Sequence, residues 1–460
     1  MNPIRRLGAF PLAISTIAAL AGGPRLAAAA DPAASNPALP ASPADRLAAT
    51  LAPPLAALVT EALERNPDVA RLAAAAEAAA ARAPQVRALP DPMASVTAYL
   101  LTPETRVGPQ QAGLTLSQRF PWFGKLALRE RQALYQAAAA RAELEARRLA
   151  LVTEVRRLGY ELAFLAEEQR VVETDRATLA HYEDLARARY ASGVGREQAA
   201  VKLQAEISKD DDRLLEIAQR RASLVAALDA LRDRRADAPI PALDLPEAPP
   251  LPALSPARLS EAALGNRPEL ARARALIAAA QVGAELAKKE YRPDLTLGLG
   301  YTAVGRREDA AGRAMPPPGN GDDIVGVTLG INLPVWRGKL AAGVDEATAH
   351  ESAAQEELRS IAAGIDQALD DLTARLPLTR DQLRLFDGQL SAQAAEALRS
   401  AESAYGAGSA GALDLLDAER VLLDVRIGAA RMRADYLITL SRLEGALGAP
   451  LANPLPGDAP

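Results

Sequence analysis

The spacing of apolar positions changes period several times along the chain, and each change marks an element. Residues 58–88 and 257–290 have helical composition and stop just before Pro90-Asp91 and Pro293-Asp294, steps that end helices. The period then drops to two. Leu295, Leu297, Leu299 and Tyr301 alternate with Thr296, Gly298, Gly300 and Thr302. After a Gly/Pro-rich loop at 304–322, Val325, Val327, Leu329, Ile331 and Leu333 alternate with Gly326, Thr328, Gly330 and Asn332. The first half repeats this more weakly, with Val96, Ala98 and Leu100, then Leu114 and Leu116. The alternation predicts strands at about 93–102, 111–120, 294–303 and 323–333. Each has one apolar face, and about ten residues is the length of a tilted membrane-crossing strand. A hairpin on a soluble core would alternate in the same way; two hairpins beside very long helices favour the membrane.

Those helices follow each strand pair. From Leu126 to Arg189 there is no proline and one glycine, Gly159. A continuous helix there would run on the order of 95 Å. The matching stretch 340–404 contains Pro377, which is expected to kink or break it, and Gly159 lies at similar depth. Beyond the turns Tyr190-Ala-Ser-Gly193 and Tyr405-Gly-Ala-Gly408 the chain returns with a heptad seam. Leu203, Ile207, Asp210, Leu214, Ile217, Arg221, Leu224, Leu228 and Leu231 follow it in one half. Leu413, Leu416, Arg420, Leu423, Ile427, Ala430, Ala434 and Leu437 follow it in the other. Each half therefore predicts one long antiparallel coiled-coil hairpin capped by a glycine turn.

The two halves are a duplication. Residues 58–70 resemble 259–271, Pro90-Asp91 answers Pro293-Asp294, and the Tyr-x-x-Gly turns answer each other. Phe120-Pro121-Trp122-Phe123-Gly124-Lys125 answers Leu333-Pro334-Val335-Trp336-Arg337-Gly338-Lys339. The first repeat is placed at 58–238 and the second at 257–448, joined by a Pro-rich linker at 239–256 and followed by a tail at 449–460. At the other end, Arg5 and Arg6, an apolar stretch from Leu7 to about Ala21, and Ala27–Ala30 read as a cleaved secretory signal over 1–30. Residues 31–57, rich in Ala and Pro, read as an irregular lead-in.

Composition narrows the chemistry. Among 460 residues, 53 Lys+Arg against 58 Asp+Glu give a net charge of −5, which argues against a nucleic-acid partner. No cysteine is present, which excludes disulfides, thiolate metal sites and the acyl acceptor of a lipoprotein. His181 and His350 alone cannot make a zinc site, and no phosphate loop, metal motif or catalytic triad stands out. The chain is expected to be no enzyme and to need no cofactor. A purely structural periplasmic coiled coil would explain the rods but leaves the strands unexplained.

Four strands cannot close a barrel, and open edges are not tolerated in lipid, whereas three copies give twelve strands. The duplicated helix–strand–strand–helix–helix halves with both Gly-Lys junctions resemble the TolC-type outer-membrane efflux proteins, over about residues 55–450. Leu116-Ser-Gln-Arg-Phe-Pro-Trp-Phe-Gly-Lys125 most resembles the branch that serves heavy-metal resistance–nodulation–division pumps. The resemblance implies a mainly α fold with β: a homotrimer with a 12-stranded transmembrane β-barrel and a long periplasmic coiled-coil extension, in the outer membrane of a Gram-negative bacterium. Many relatives are lipidated through a cysteine, and its absence here predicts an unlipidated chain. It implies a passive duct, for heavy-metal cations or else for drugs or type I secretion, partnered by a periplasmic adaptor, an inner-membrane pump and lipid. Adaptor docking falls on Tyr190, Gly193, Val194, Gly195, Tyr405, Gly408 and Ser409. An acidic aperture ring falls on Asp414 and Asp417, which the helix dipole would also favour as ordinary first-turn acids. Barrel-to-helix junctions fall on Pro121, Gly124, Lys125, Pro334, Gly338 and Lys339. Where some members carry an arginine latch this chain has Ala410 and Gly411, so that latch is missing from the pattern.

Overall fold

The computed structural model describes residues 42–235, 238–252 and 255–451. The expected signal segment and nearly all of the C-terminal tail lie outside the described residues. The expected irregular lead-in is helical from Pro43: α1 (Pro43–Ala48) and α2 (Pro53–Arg65) both start on a proline, whose fixed φ suits the first helical turn. Asn66 then ends α2 and caps α3 (Pro67–Arg87), accepting from the Asp68 and Val69 N–H groups. The expected helix at 58–88 is therefore two helices, and its counterpart is likewise split at Arg267 into α6 (Pro256–Asn266) and α7 (Pro268–Lys289).

The strands are β1 (Met93–Ala98), a two-residue β2 (Glu104–Thr105), β3 (Gly108–Phe120), β4 (Leu295–Val304) and β5 (Ile324–Ile331). A five-residue helix, α8 (Ala310–Ala314), sits in the loop before β5. The sheet is antiparallel in the order β1-β3-β4-β5, so β1 and β5 are free edges. The duplication is visible in its register. Carrying Asp91 to Asp294 and Phe120 to Leu333 turns the pair Met93↔Ser117 into Thr296↔Gly330, which is the observed pairing of β4 with β5. Val96, Leu114, Leu116, Leu297, Leu299, Tyr301, Val325, Val327, Leu329 and Ile331 are all exposed.

The rods follow. α4 (Lys125–Ala191) is one helix of 67 residues, about 100 Å long. Gly159 lies inside it and marks close packing in place of a bend, because a Cβ there would stand 2.5 Å from Leu55 Cδ1. α5 (Glu197–Leu231) returns along it. In the second half α9 (Arg337–Arg384) runs through Pro377 unbroken; the expected interruption comes later, as a π-helical turn at Leu385–Leu390 before α10 (Ser391–Gly406). α11 (Ala412–Leu447) completes that hairpin. In α11 the expected seam residues Leu416, Leu423, Ala430, Ala434 and Leu437 are buried, whereas Leu413 and Arg420 are exposed and Leu415, Glu419 and Leu422 are buried beside them.

Near the sheet the helices line up in the order α3-α4-α7-α9. One interaction ties the two layers together there. The Lys125 ammonium is 1% exposed and donates to Asp294 Oδ1 at 3.0 Å, Glu290 Oε2 at 3.1 Å and the Arg292 carbonyl at 3.1 Å. Asp294 also accepts from the Trp122 N–H at 3.0 Å and from Arg119 at 2.5 Å. Burial alone would raise the Asp294 carboxyl, but these donors hold it down at about 2. Losing one partner of so buried a pair costs about 3–5 kcal/mol, because the other charge is stranded. Gly124 reaches the junction at φ +83, which a side chain would strain.

Candidate functional site

Both hairpins end in the same turn. Gly193 and Gly408 have φ +79 and +75, and each N–H donates to a tyrosine carbonyl, Tyr190 at 2.9 Å and Tyr405 at 3.1 Å. The Val194 and Gly195 N–H groups donate to the Arg189 carbonyl, and those of Ser409 and Ala410 donate to Ala404. Nothing lies within 4 Å of a Cβ built on either glycine, so the left-handed backbone itself calls for Gly.

The two tips lie side by side. The Arg189 guanidinium sits 4.3 Å over the Tyr405 ring and donates to the Gly406 carbonyl at 3.2 Å. A cavity of about 520 Å³ opens between them, lined by Arg189, Val194, Gly195, Tyr405, Gly408 and Ser409 among others. Tyr190 and Val194 are exposed, whereas Tyr405 is only 6% exposed and packs with Leu179, Leu203 and Leu415. The equivalent tyrosines thus face different surroundings. Asp414 and Asp417 are both exposed at the start of α11. Asp414 Oδ2 accepts from the Gly411 N–H at 2.8 Å, closing the first turn, and Asp417 stands 3.9 Å from Arg420.

Further along the seam, contacts cross between hairpins. Tyr182 donates to Glu402 Oε1 at 2.6 Å, and Arg420 donates to Glu206 Oε2 at 3.1 Å. Sequence reasoning missed a third contact, a layer of buried acids. Asp175 of α4, Asp210 of α5 and Glu419 of α11 are 5%, 5% and 3% exposed, each with one buried oxygen lacking a partner. Apolar layers flank them, Leu179 and Leu203 toward the tip and Val172, Ile217 and Leu423 behind. The available signal was Asp210, a charged residue at a seam position. Burial pushes the Asp175 carboxyl up to about 9, and its hydrogen bonds with Glu419 and Asp210 and their charges push the same way. Burial also raises Asp210, against its hydrogen bond with Asp175 and the nearby Arg213. None of the described residues form a cluster suited to a metal ion.

A raised acid holds its proton in the folded state but not in the unfolded one. Its contribution is therefore fully present below the unfolded value near 3.8 and is lost as pH climbs through about 9. Between those limits one such proton makes the unfolding equilibrium constant grow by about tenfold per pH unit. Asp175→Asn is expected to flatten that slope in denaturation midpoints measured from pH 5 to pH 9. An unchanged slope would mean that Asp175 is ionised in the fold.

The comparisons match this architecture. The family model described as outer membrane efflux protein matches residues 58–232 and 259–449. The pyoverdine export outer membrane protein OpmQ of Pseudomonas putida is 30% identical over 188 residues, 40% of this chain and 38% of that protein. OpmQ of Pseudomonas aeruginosa is 25% identical over 350 residues, covering 73% and 68%. Among solved structures, the outer-membrane channel OprN has a TM-score of 0.73 at 18% identity, covering 87% of this chain and 91% of that one. VceC from Vibrio cholerae gives 0.70 at 22%, covering 86% and 96%, and CusC gives 0.71 at 18%, covering 89% and 98%. Such identities speak for the fold. With both repeats matched, the chain belongs to the outer membrane efflux protein family, whose members are non-enzymatic transport channels.

Proposed function

We propose that this protein is the outer-membrane duct of a tripartite export system, a homotrimer whose twelve strands close a barrel in lipid. The observation that carries the reading is the sheet itself. Its exposed face is a band of Val, Leu, Ile and Tyr, and both of its edges are unpaired. Exposed apolar faces and open edges are liabilities in water; in a closed barrel they become the lipid contact and the subunit joints. Among the described residues no helix is long and apolar enough to cross a membrane.

The hairpin tips then dock a periplasmic adaptor coupled to an inner-membrane pump. Tyr190, Val194, Gly195, Gly193, Gly408 and Ser409 offer the docking surface, with Tyr405 acting beneath it as the prop for Arg189. The cargo is an exported small organic molecule, in line with the OpmQ relatives, whose name gives pyoverdine export. Heavy-metal cations are the second reading, and the exposed Asp414 and Asp417 favour it. They stand one turn apart, so copies around an axis would make an acidic ring that attracts cations without ligating them.

Planar bilayers test the duct directly. The purified protein is expected to form cation-selective pores, and Asp414→Ala with Asp417→Ala to lower that selectivity and weaken block by trivalent cations. Val194→Asp is expected to leave conductance intact while abolishing export from cells. Failure to conduct would overturn the duct, and normal export by Val194→Asp would remove the tips from adaptor docking.

A further inference from the structure

A closed ring would give each chain four strand pairings of two kinds, and three of the four are seen within one chain. The pairing inside each repeat appears twice, as β1 with β3 and as β4 with β5, in one shared register. The pairing between repeats appears once, as β3 with β4, where Phe120 faces Leu295 and Leu116 faces Leu299. Its equivalent would join β5 to the β1 of another copy. The helices repeat the pattern: α4 packs on α7 within the chain, and α9 and α3 are the outer members of the row. Sheet and helix layers thus end on the same two sides, β1 with α3 and β5 with α9. A head-to-tail contact of that kind makes a ring when its rotation closes.

We infer that the joint between subunits copies the joint between repeats, so that Lys339 of one subunit pairs with Asp91 of the next and Leu329 faces Val96 across it. The inference rests on the assembly reading above. Lys339 occupies the place of Lys125, and Asp91 that of Asp294. Lys125 and Asp294 are buried together at 3.0 Å, whereas Lys339 and Asp91 are both exposed and have no partner among the described residues. Two complementary charges are left at the two free ends of one chain.

The transferred register passes three checks. It sets Ile331 opposite Ala94, Leu329 opposite Val96 and Val327 opposite Ala98. The β1 residues named share a face with Leu114 and Leu116, so the apolar band continues across the joint. A second charge pair also transfers. Arg131 of α4 meets Glu285 of α7 at 2.5 Å, and the equivalent positions on α9 and α3 are Asp345 and Arg82, both exposed. The signs are exchanged and the attraction is kept. Arg87 stands where Glu290 does, but Glu130 already holds it at 2.9 Å. Asn332 replaces Arg119, which leaves Lys339 as the main counter-charge for Asp91.

The absence of native cysteine makes the register directly testable. Directly opposed residues lie about 4.5–5.5 Å apart at Cα, within disulfide reach. In membranes treated with a mild oxidant, Leu329→Cys with Val96→Cys, or Gly330→Cys with Ser95→Cys, is expected to give covalent oligomers. The two pairs cover both hydrogen-bonded and non-hydrogen-bonded positions. Leu329→Cys with Ala98→Cys, two residues out of register, is expected to give none. In the charge arm, Lys339→Glu is expected to lose detergent-resistant oligomer, and adding Asp91→Lys to restore it. Cross-linking of the shifted pair in preference, or no rescue by the exchanged charges, would overturn the inference while leaving a conducting assembly in place. No cross-link from any pair together with a monomer that does not conduct would overturn the assembly reading itself.

Discussion

A single buried ammonium holds the sheet to the rods. Lys125 sits at the first residue of the 67-residue α4, in the turn after β3, and reaches across to the other repeat. A lysine is rarely buried unless its charge is met, and here three oxygens meet it. The same Asp294 gathers Arg119 from β3 and the Trp122 backbone, so strand, turn and helix are fixed at one carboxylate. Gly124 precedes the helix in a left-handed conformation, at the turn where β3 gives way to α4. The packing of α4 on α3 and α7, and through them the line of helices under the sheet, starts from this point.

Farther from the sheet, the seam between hairpins changes character layer by layer. Leucine, alanine and tyrosine side chains fill most of it. The acid layer of Asp175, Asp210 and Glu419 interrupts it, and the Tyr182–Glu402 and Arg420–Glu206 contacts lie beside that interruption. Buried polar layers weaken packing relative to leucine but reject alternative registers. Between two long rods, where slippage by one heptad would otherwise cost little, such a layer specifies alignment. At the tips the arrangement departs from the duplication: Arg189 covers Tyr405, while Tyr190 stays exposed.

Much of this was legible in the sequence. Period-two alternation placed β4 and β5 within a residue or two, because Leu and Val alternate there with Gly and Thr. The Tyr-x-x-Gly turns were readable since only glycine takes their positive φ at no cost. Other features depended on tertiary partners. Proline read as a breaker at Pro377, yet α9 continues through it, and Pro43 and Pro53 start helices in a stretch that looked irregular. Gly159 looked like a bend and is a contact with Leu55. Lys125 and Asp294 each stood in a recognised landmark, but their pairing lies 169 residues apart and no local pattern encodes it. Asp175 and Glu419 sit at ordinary helical positions, and only their neighbours make them a buried layer.

The central claim is that free edges and an apolar face are completed by copies of the same chain. Native mass spectrometry of the protein extracted in several mild detergents measures this directly. The account predicts three copies in each, with no stable monomer. A monomer persisting in all of them would contradict it.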